Sequence, residues 1–407
     1  MLSNRVFALL FCVALVVVSF QTGSFAQRPA AVSPVIVVLK DTAPFDTFRS
    51  YYRADERAAA SPAAWNYQDV GVTGLVQFLE SRHGFRADRV YSAAIRGFAA
   101  RLTATQIADF ERDPYVAYVE RDGQMRIVAQ TLPWGINKVD ADISSISAGD
   151  GTGSIANVNV YIIDTGIDTA HTDLRVVRHV NFAGGPNWDC QGHGTHVAGT
   201  TAARDNASDV VGVAPGAPLT GVKVLGCGGT GSTSGVIAGV DWVTANATQP
   251  AVANMSLGGT ASTALDDAVR RSAAAGVFYA LAAGNEGAQA CTKSPARAGA
   301  GTNNGIMTIA ATDSSDREAS WSNYGSCVDI WAPGVSILST RRGGGTTTMS
   351  GTSMASPHGA GGAALYLSSH TGASPSAVEG ALKSAATTTA NKSKDARTIT
   401  RLSVGTF

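Results

Sequence analysis

The sequence predicts an α/β protein with a mainly parallel sheet and helices on both faces, preceded by a small α+β module. Three observations predict it. From about Thr131 onward, short apolar runs alternate with helical patterns. The composition shifts there toward Gly, Ala, Ser and Thr. Residues 34–127 carry a separate βαββαβ-like pattern. Alternation of strands and helices implies a parallel sheet covered on both sides, whose chemistry lies beyond the carboxyl ends of its strands.

Within the first module, Pro34–Lys40 (PVIVVLK) reads as a strand and Val72–His83 as an amphipathic helix. Val90–Leu102 is a strand or a hairpin. Thr103 and Gln106 form a capping box opening a helix over Thr103–Arg112, and Tyr115–Ile127 reads as a closing strand pair. In the larger region, Val158–Asp164, Leu219–Leu225, Ala251–Leu257, Val277–Ala283 and Met307–Thr312 are runs of buried-strand type. Ser232–Ala245, Ala264–Ala275, Ser353–His370 and Pro375–Ala386 are helical patterns that alternate with them or follow them.

The 407 residues are enough for two or three domains at roughly 100–200 residues each. Apolar residues make up 44%, and charged ones only 15% against about 25% in an average domain. Forty-five Gly without a three-residue period and 14 Pro exclude collagen-like and Pro-rich disordered classes. Basic and acidic side chains balance at 31 each with no long Lys/Arg block, which argues against nucleic acid or an anionic membrane as partner.

Arg5, the apolar run Val6 to Phe20 and the small residues Ser24 and Ala26 have the form of a secretory signal cut near Ala26. The run is short for a spanning helix, which needs about 20 apolar residues. No later segment is apolar enough to span a bilayer, so a soluble product outside the cytoplasm is expected. Cys12 leaves with the signal, and Cys190, Cys227, Cys291 and Cys327 remain for an oxidising compartment. Two disulfides are favoured over a zinc ribbon, whose paired close spacing is missing, and three pairings are open.

Three polar motifs stand where chemistry is expected. Asp164 ends the run Tyr161-Ile162-Ile163, placed to orient a base, although such an Asp is more often a turn residue. Gly192-His193-Gly194-Thr195-His196 surrounds an imidazole with small residues. It lacks the four-residue spacing and Glu of the helical zinc motif, so His193 reads as a general base ahead of a structural or metal-binding histidine. Ser353, in Gly351-Thr352-Ser353-Met354, opens a helix, where free N–H groups and the dipole favour developing negative charge. Taken alone it would be a plain N-cap. Pro357 is tolerated near the helix start, where N–H groups lack intrahelical acceptors. Together the three residues supply what nucleophilic acyl transfer needs: a hydroxyl to attack, an imidazole to move the proton and a carboxylate to hold the tautomer.

With DTGID at Asp164–Asp168, HGTHVAGT at His193–Thr200 and GTSMASPH at Gly351–His358, the chain resembles the subtilisin-like serine proteases. Lys223–Val243, Ala251–Gly259 and Ser322–Gly334 make it similar to the proteinase K and aqualysin branch. The resemblance covers nearly all of residues 131–390, and the preceding module resembles the subtilase propeptide, a ferredoxin-like α+β domain that chaperones folding and plugs the cleft.

This resemblance implies Asp164, His193 and Ser353 as the triad. It implies Asn285 as side-chain oxyanion donor, joined by the Ser353 N–H; apart from it, Asn285-Glu286-Gly287 reads as a turn. Gly229-Thr230-Gly231 and Ser256-Leu257-Gly258 become the edges that pair with an extended peptide. The specificity pocket is then walled by Ser256–Gly258 and by Ala282, Ala283 and Gly284. With no charge at its base, an apolar or aromatic residue is expected before the scissile bond, loosely selected. The resemblance also implies the disulfides Cys190–Cys227 and Cys291–Cys327, and a structural calcium held by Asp329 with the carbonyls of Asn304 and Ile306. At a second family calcium site only Asp140 fits, since Asn137 and Ala141 depart.

The expected layout is a signal over 1–26, a propeptide over 27–129 and a catalytic domain over 130–407. The product is a secreted, monomeric serine endopeptidase, autoprocessed from a proenzyme. Its partners are polypeptide substrates and its own propeptide, with neither nucleic acid nor, in the mature form, a membrane. A hydrolase limited to esters and an inactive homologue kept for binding are the rival readings. An apolar peptide substrate tests the first; the intact triad and Asn285 argue against the second.

Overall fold

The structure, a computed structural model, describes residues 31–43, 70–123 and 130–407, and the chain divides into two units, Met1–Arg126 and Ile127–Phe407. The expected signal, residues 1–26, and the junction 124–129 lie outside the described residues.

In the first unit, strand alternation along β1 (Val32–Leu39) buries Val35, Val37 and Leu39. Helix α1 (Val70–His83) covers that face with Val72, Leu75, Val76 and Leu79, the spacing of one helical stripe. Burying each leucine contributes about 1.5–3 kcal/mol. β2 (Ala87–Tyr91), β3 (Gly97–Thr103), α2 (Ala104–Arg112) and β4 (Val116–Arg121) complete the βαββαβ order. The sheet runs β2-β3-β1-β4 with antiparallel pairing throughout, the ferredoxin-like arrangement. The capping box forms as expected: Gln106 N–H donates to Thr103 Oγ1 at 3.3 Å and Thr103 N–H to Gln106 Oε1 at 2.9 Å. Val90–Leu102 lies within a hairpin, β2 and β3. Of the expected closing pair Tyr115–Ile127, β4 is the strand among the described residues; residues 124–127 lie outside them.

The second unit opens with the short helix α3 (Trp134–Lys138), followed by β5 (Asn159–Asp164), β6 (Val176–Asn181), α4 (His193–Ala202) and β7 (Leu219–Lys223). Next come α5 (Thr233–Asn246), β8 (Ala251–Met255), β9 (Gly259–Thr260), α6 (Thr263–Ala274), β10 (Val277–Ala282), β11 (Lys293–Ser294) and β12 (Ile306–Thr312). β13 (Ile330–Pro333), the hairpin β14 (Ile337–Thr340) and β15 (Thr346–Met349), α7 (Thr352–Ser369), α8 (Pro375–Ala385), β16 (Thr387–Lys392) and β17 (Thr398–Arg401) end it.

Nine strands form one sheet in the order β16-β17-β13-β12-β10-β8-β5-β7-β6, parallel except for the edge strand β16. Alternate residues of β5 enter different cores. Val160 and Ile162 pack on the side of α4 and α7, while Tyr161 and Ile163 pack on the side of α5 and α6. Chain order reverses at β5, which has β7 on one side and β8 on the other, so a crevice opens beyond the carboxyl ends of β5 and β8.

Helices α3 and α4 and strands β6, β9, β11, β13, β14, β15, β16 and β17 have no counterpart in the sequence-based expectations. β6 is only half buried and carries Arg178, His179 and Asn181. In α4 every residue after His193 is buried, so no polar face marks a helical period.

Helix α7 crosses α4 where Gly361 has no side chain. A Cβ there would stand 2.5 Å from Val213 Cβ and 3.0 Å from the Thr201 carbonyl oxygen. Helix propensity alone favours Gly361→Ala by about 1 kcal/mol, but overpacking costs about 1–3 kcal/mol. Thermal unfolding is therefore expected to show a lower Tm for Gly361→Ala; a raised Tm would mean that the crossing tolerates a methyl group.

Candidate active site

Asp164 is fully buried at the carboxyl end of β5. Its Oδ1 accepts from Thr165 N–H at 2.7 Å and from His193 Nδ1 at 2.7 Å. A carboxylate only accepts, so the proton of this pair sits on Nδ1 and Nε2 is left as the basic atom. Burial pushes the His193 imidazole down, yet the Asp164 charge and hydrogen bond outweigh it, and the net shift is upward. The two residues meet because Gly194 lacks a side chain: a Cβ there would lie 2.1 Å from the Gly166 carbonyl oxygen.

The first turn of α4 is tied down by Asp189, which the sequence-based reading passed over. Its buried carboxylate accepts from Gly192 N–H at 2.8 Å, Thr195 N–H at 3.0 Å, Thr195 Oγ1 at 2.6 Å and Thr165 Oγ1 at 2.9 Å. An Asp just ahead of a helix start is the signal that was there to read. Lys223, also buried, donates from Nζ to the Thr165 and Leu225 carbonyls at 2.7 and 2.9 Å, setting a cation beneath the same turn.

Ser353 is the second residue of α7. Pro357, four residues on, has no N–H to bond the Ser353 carbonyl, and Ser256 Oγ supplies the missing donor at 2.8 Å. The proline is thus tolerated through a partner outside the helix, a correction to the helix-start explanation. Ser256 Oγ accepts from Asn254 Nδ2 at 2.9 Å, and Asn254 Oδ1 accepts from Ser356 Oγ at 2.7 Å. This buried chain locks the start of α7 to β8; a lone Asn inside the apolar run Ala251–Met255 was its only trace in the sequence. The Ser353 hydroxyl itself donates to the Ser256 carbonyl at 3.2 Å and must rotate away from it to engage His193.

Asn285 follows β10, and its Oδ1 accepts from Thr352 N–H at 2.8 Å and Thr352 Oγ1 at 3.0 Å. With the oxygen held, Nδ2 is the end of the amide available to a ligand.

A cavity of about 390 Å³ is lined by His193, Ser353, Gly229, Thr230, Gly231, Ser256, Leu257 and Gly258, so both expected substrate edges face the same space as the hydroxyl and imidazole. A neighbouring cavity of about 100 Å³ is lined by Leu257, Gly258, Ala282, Ala283, Gly284, Asn285 and Ser353. Glu286 and Lys293, outside the segments expected to wall the pocket, also line it and pair at 3.4 Å, with the Glu286 side chain half exposed. Asn323 Nδ2 donates to Glu286 Oε2 at 2.7 Å and draws the carboxylate back toward that wall. Both disulfides form as the resemblance implied: Cys190–Cys227 joins the approach to His193 to the Gly229–Gly231 edge, and Cys291–Cys327 closes the loop after β10.

The calcium expectation meets a different donor set. Asp329 Oδ2 accepts from Thr308 N–H at 2.8 Å, and Oδ1 accepts from the Lys383 ammonium at 2.7 Å. A divalent cation on this carboxylate would share its shell with an ammonium, so the residues as arranged do not fit calcium. Asp140, the remaining candidate elsewhere, accepts from Ser403 Oγ at 2.6 Å.

The fold and site together define a hydrolase class with an Asp-His-Ser constellation at a sheet switch point. Residues 155–402 match the Subtilase family and residues 34–128 match Peptidase inhibitor I9. The chain belongs to the subtilase family. It is 46% identical to an extracellular serine proteinase of Thermus sp. (strain Rt41A), over 74% of this chain and 73% of that one. It is 44% identical to alkaline serine exoprotease A of Vibrio alginolyticus over 77% of its own residues, spanning 59% of that relative's length. A solved cold-adapted subtilisin-like serine proteinase superposes with a TM-score of 0.59 at 43% identity, covering 67% of this chain and 97% of that one.

Two further imidazoles brace α4 and α7. His196 Nε2 donates to the Ile337 and Thr347 carbonyls at 3.0 and 3.2 Å; His358 Nδ1 donates to the Met354 carbonyl at 2.8 Å. The other nitrogen of each is buried without a partner. Burial pushes both from the ordinary 6.5 down to about 4. A depressed imidazole stabilises the fold fully above 6.5 and loses that contribution as pH falls toward 4. The stability gap between the parent and His358→Leu is therefore expected to shrink by roughly 2–3 kcal/mol from pH 7 to pH 4.5. Urea unfolding of both at the two pH values measures it, and a constant gap would show that His358 is not held neutral.

Proposed function

We propose that the chain is a secreted serine endopeptidase working through Asp164, His193 and Ser353. The observation that carries this reading is the 2.7 Å Asp164–His193 bond at the wall of a cavity that Ser353 also lines. In the reaction, Ser353 Oγ attacks the peptide carbonyl as His193 Nε2 takes its proton. Asp164 holds the Nδ1–H and stabilises the imidazolium that results. The oxyanion meets Asn285 Nδ2 and the Ser353 N–H, a free donor in the first turn of α7. His193 then protonates the leaving amine, and water hydrolyses the acyl-enzyme by the same steps in reverse.

The segments Gly229–Gly231 and Ser256–Gly258 pair with an extended substrate. Leu257, Ala282 and Ala283 favour an apolar or aromatic side chain before the scissile bond, and Glu286 adds an ionic wall beside them. Secretion rests on the signal-like residues 1–26 and on extracellular relatives; among the described residues no helix is long and apolar enough to cross a membrane. Residues 27–129 serve as intramolecular inhibitor and folding aid, a role supported by the inhibitor match, and 130–407 as a monomeric catalytic domain. Subtilases generally bind structural calcium; no step here is assigned to it.

Hydrolysis of an apolar peptide amide is expected to fall by a factor on the order of 10⁵–10⁶ in Ser353→Ala. In Asn285→Ala, kcat is expected to fall about 100- to 1,000-fold with little change in KM, because the oxyanion exists only on the way to the intermediate. Steady-state kinetics on amide and ester substrates decide it. An enzyme that cleaves only esters, or turnover indifferent to Asn285, would contradict the reading.

Tethering both reactants in one chain makes the first cut intramolecular and insensitive to dilution. The wild-type precursor is accordingly expected to cut itself near Ala129–Thr131, while Ser353→Ala accumulates uncut. Mass spectrometry of both from a protease-deficient host follows this, and processing of Ser353→Ala at the wild-type rate would assign the cut to another protease.

A further inference from the structure

Glu379 and Lys383 stand four residues apart on α8 and so share one face of the helix. That face meets two other segments. Glu379, fully buried, accepts at Oε2 from Asn304 N–H at 2.7 Å and Gly305 N–H at 2.8 Å, fastening the turn ahead of β12. Lys383 Nζ bonds Glu379 Oε1 and lies 2.7 Å from Asp329 Oδ1, just ahead of β13. The Asp329 and Glu379 side chains keep only 8% and 0% of their exposure. Buried carboxylates need a cation, and this ammonium serves both of them.

We infer that Lys383 supplies, from within the chain, the positive charge that the family resemblance assigns to a calcium ion at Asp329. Calcium takes six to eight oxygen ligands at about 2.3–2.6 Å. Here both Asp329 oxygens and both Glu379 oxygens already accept hydrogen bonds, two of them from the ammonium. The mechanical task of an ion at this place is to tie the 304–306 turn to the Asp329 segment. The relay from Asn304 and Gly305 through Glu379 and Lys383 to Asp329 performs it. Stability at this corner is therefore independent of calcium.

The inference does not depend on proteolytic activity, and its test reads binding and unfolding. Full-length Ser353→Ala protein, which avoids self-digestion, is compared with the same chain carrying Asp329→Asn or Lys383→Met. Isothermal titration with calcium chloride is expected to give the same stoichiometry for the Ser353→Ala chain and its Asp329→Asn form. Loss of one bound calcium on Asp329→Asn would overturn the inference, since calcium would then be displacing Lys383. In chelator, Lys383→Met is expected to lower Tm by about 5 °C or more, and calcium to restore part of the loss by binding the freed carboxylates. An unchanged Tm in chelator, or a loss that calcium leaves untouched, would show that the ammonium does not hold a cation's place. Should Lys383→Met fail to fold, the Asp329→Asn comparison still decides.

Discussion

The site depends on how closely α4 and α7 approach the carboxyl ends of β5 and β8. His193 reaches Asp164 because Gly194 lets the first turn of α4 press against the Gly166 carbonyl. Helix α7 runs through the middle of the unit, and Gly359, Gly361 and Gly362 let Ile309, Val213 and Val404 lie against its backbone. The Gly, Ala, Ser and Thr bias of this region is thus a packing requirement. Small side chains let helices and strands carry reactive groups to within hydrogen-bonding distance of one another.

So dense an interior leaves little water to satisfy polar atoms, and the chain satisfies many of them with its own side chains. Pro357 frees the Ser353 carbonyl and Ser256 takes it up; Asn254 then holds Ser256. Asp189 gathers the loose N–H groups at the start of α4, with Lys223 as the nearby buried cation. These contacts hold the backbone at Ser353 and the first turn of α4 in place within the fold itself, the kind of preorganisation that the proposed reaction calls for. Lys383 applies the same economy at a distance from the cavity.

The architecture was legible in the sequence where burial has a period or an uninterrupted apolar run: β5, β8, β10 and α1 all stand close to where the runs end. The motif residues were legible because each sits at an element boundary, where a polar residue interrupts an apolar run. Helix α4 was not, since Gly194 to Ala202 are buried on every side and Gly and Thr are weak helix formers. The Glu286–Lys293 pair and the Lys383 relay escaped for another reason. Glu286 and Lys293 meet across one irregular connection seven residues long, and Lys383 meets Asp329 from 54 residues away. The four-residue spacing of Glu379 and Lys383 is visible in the sequence, but the contact with Asp329 is not.

Asp164 fixes the proton of His193 on Nδ1 and raises the basicity of the ring. An NMR titration of the His193 ring in the parent and in Asp164→Asn tests it most directly. A strongly deshielded Nδ1 proton and an apparent pKa above the ordinary 6.5 are expected in the parent, both lost in the variant. A ring that titrates at or below 6.5 and is indifferent to Asp164→Asn would contradict it.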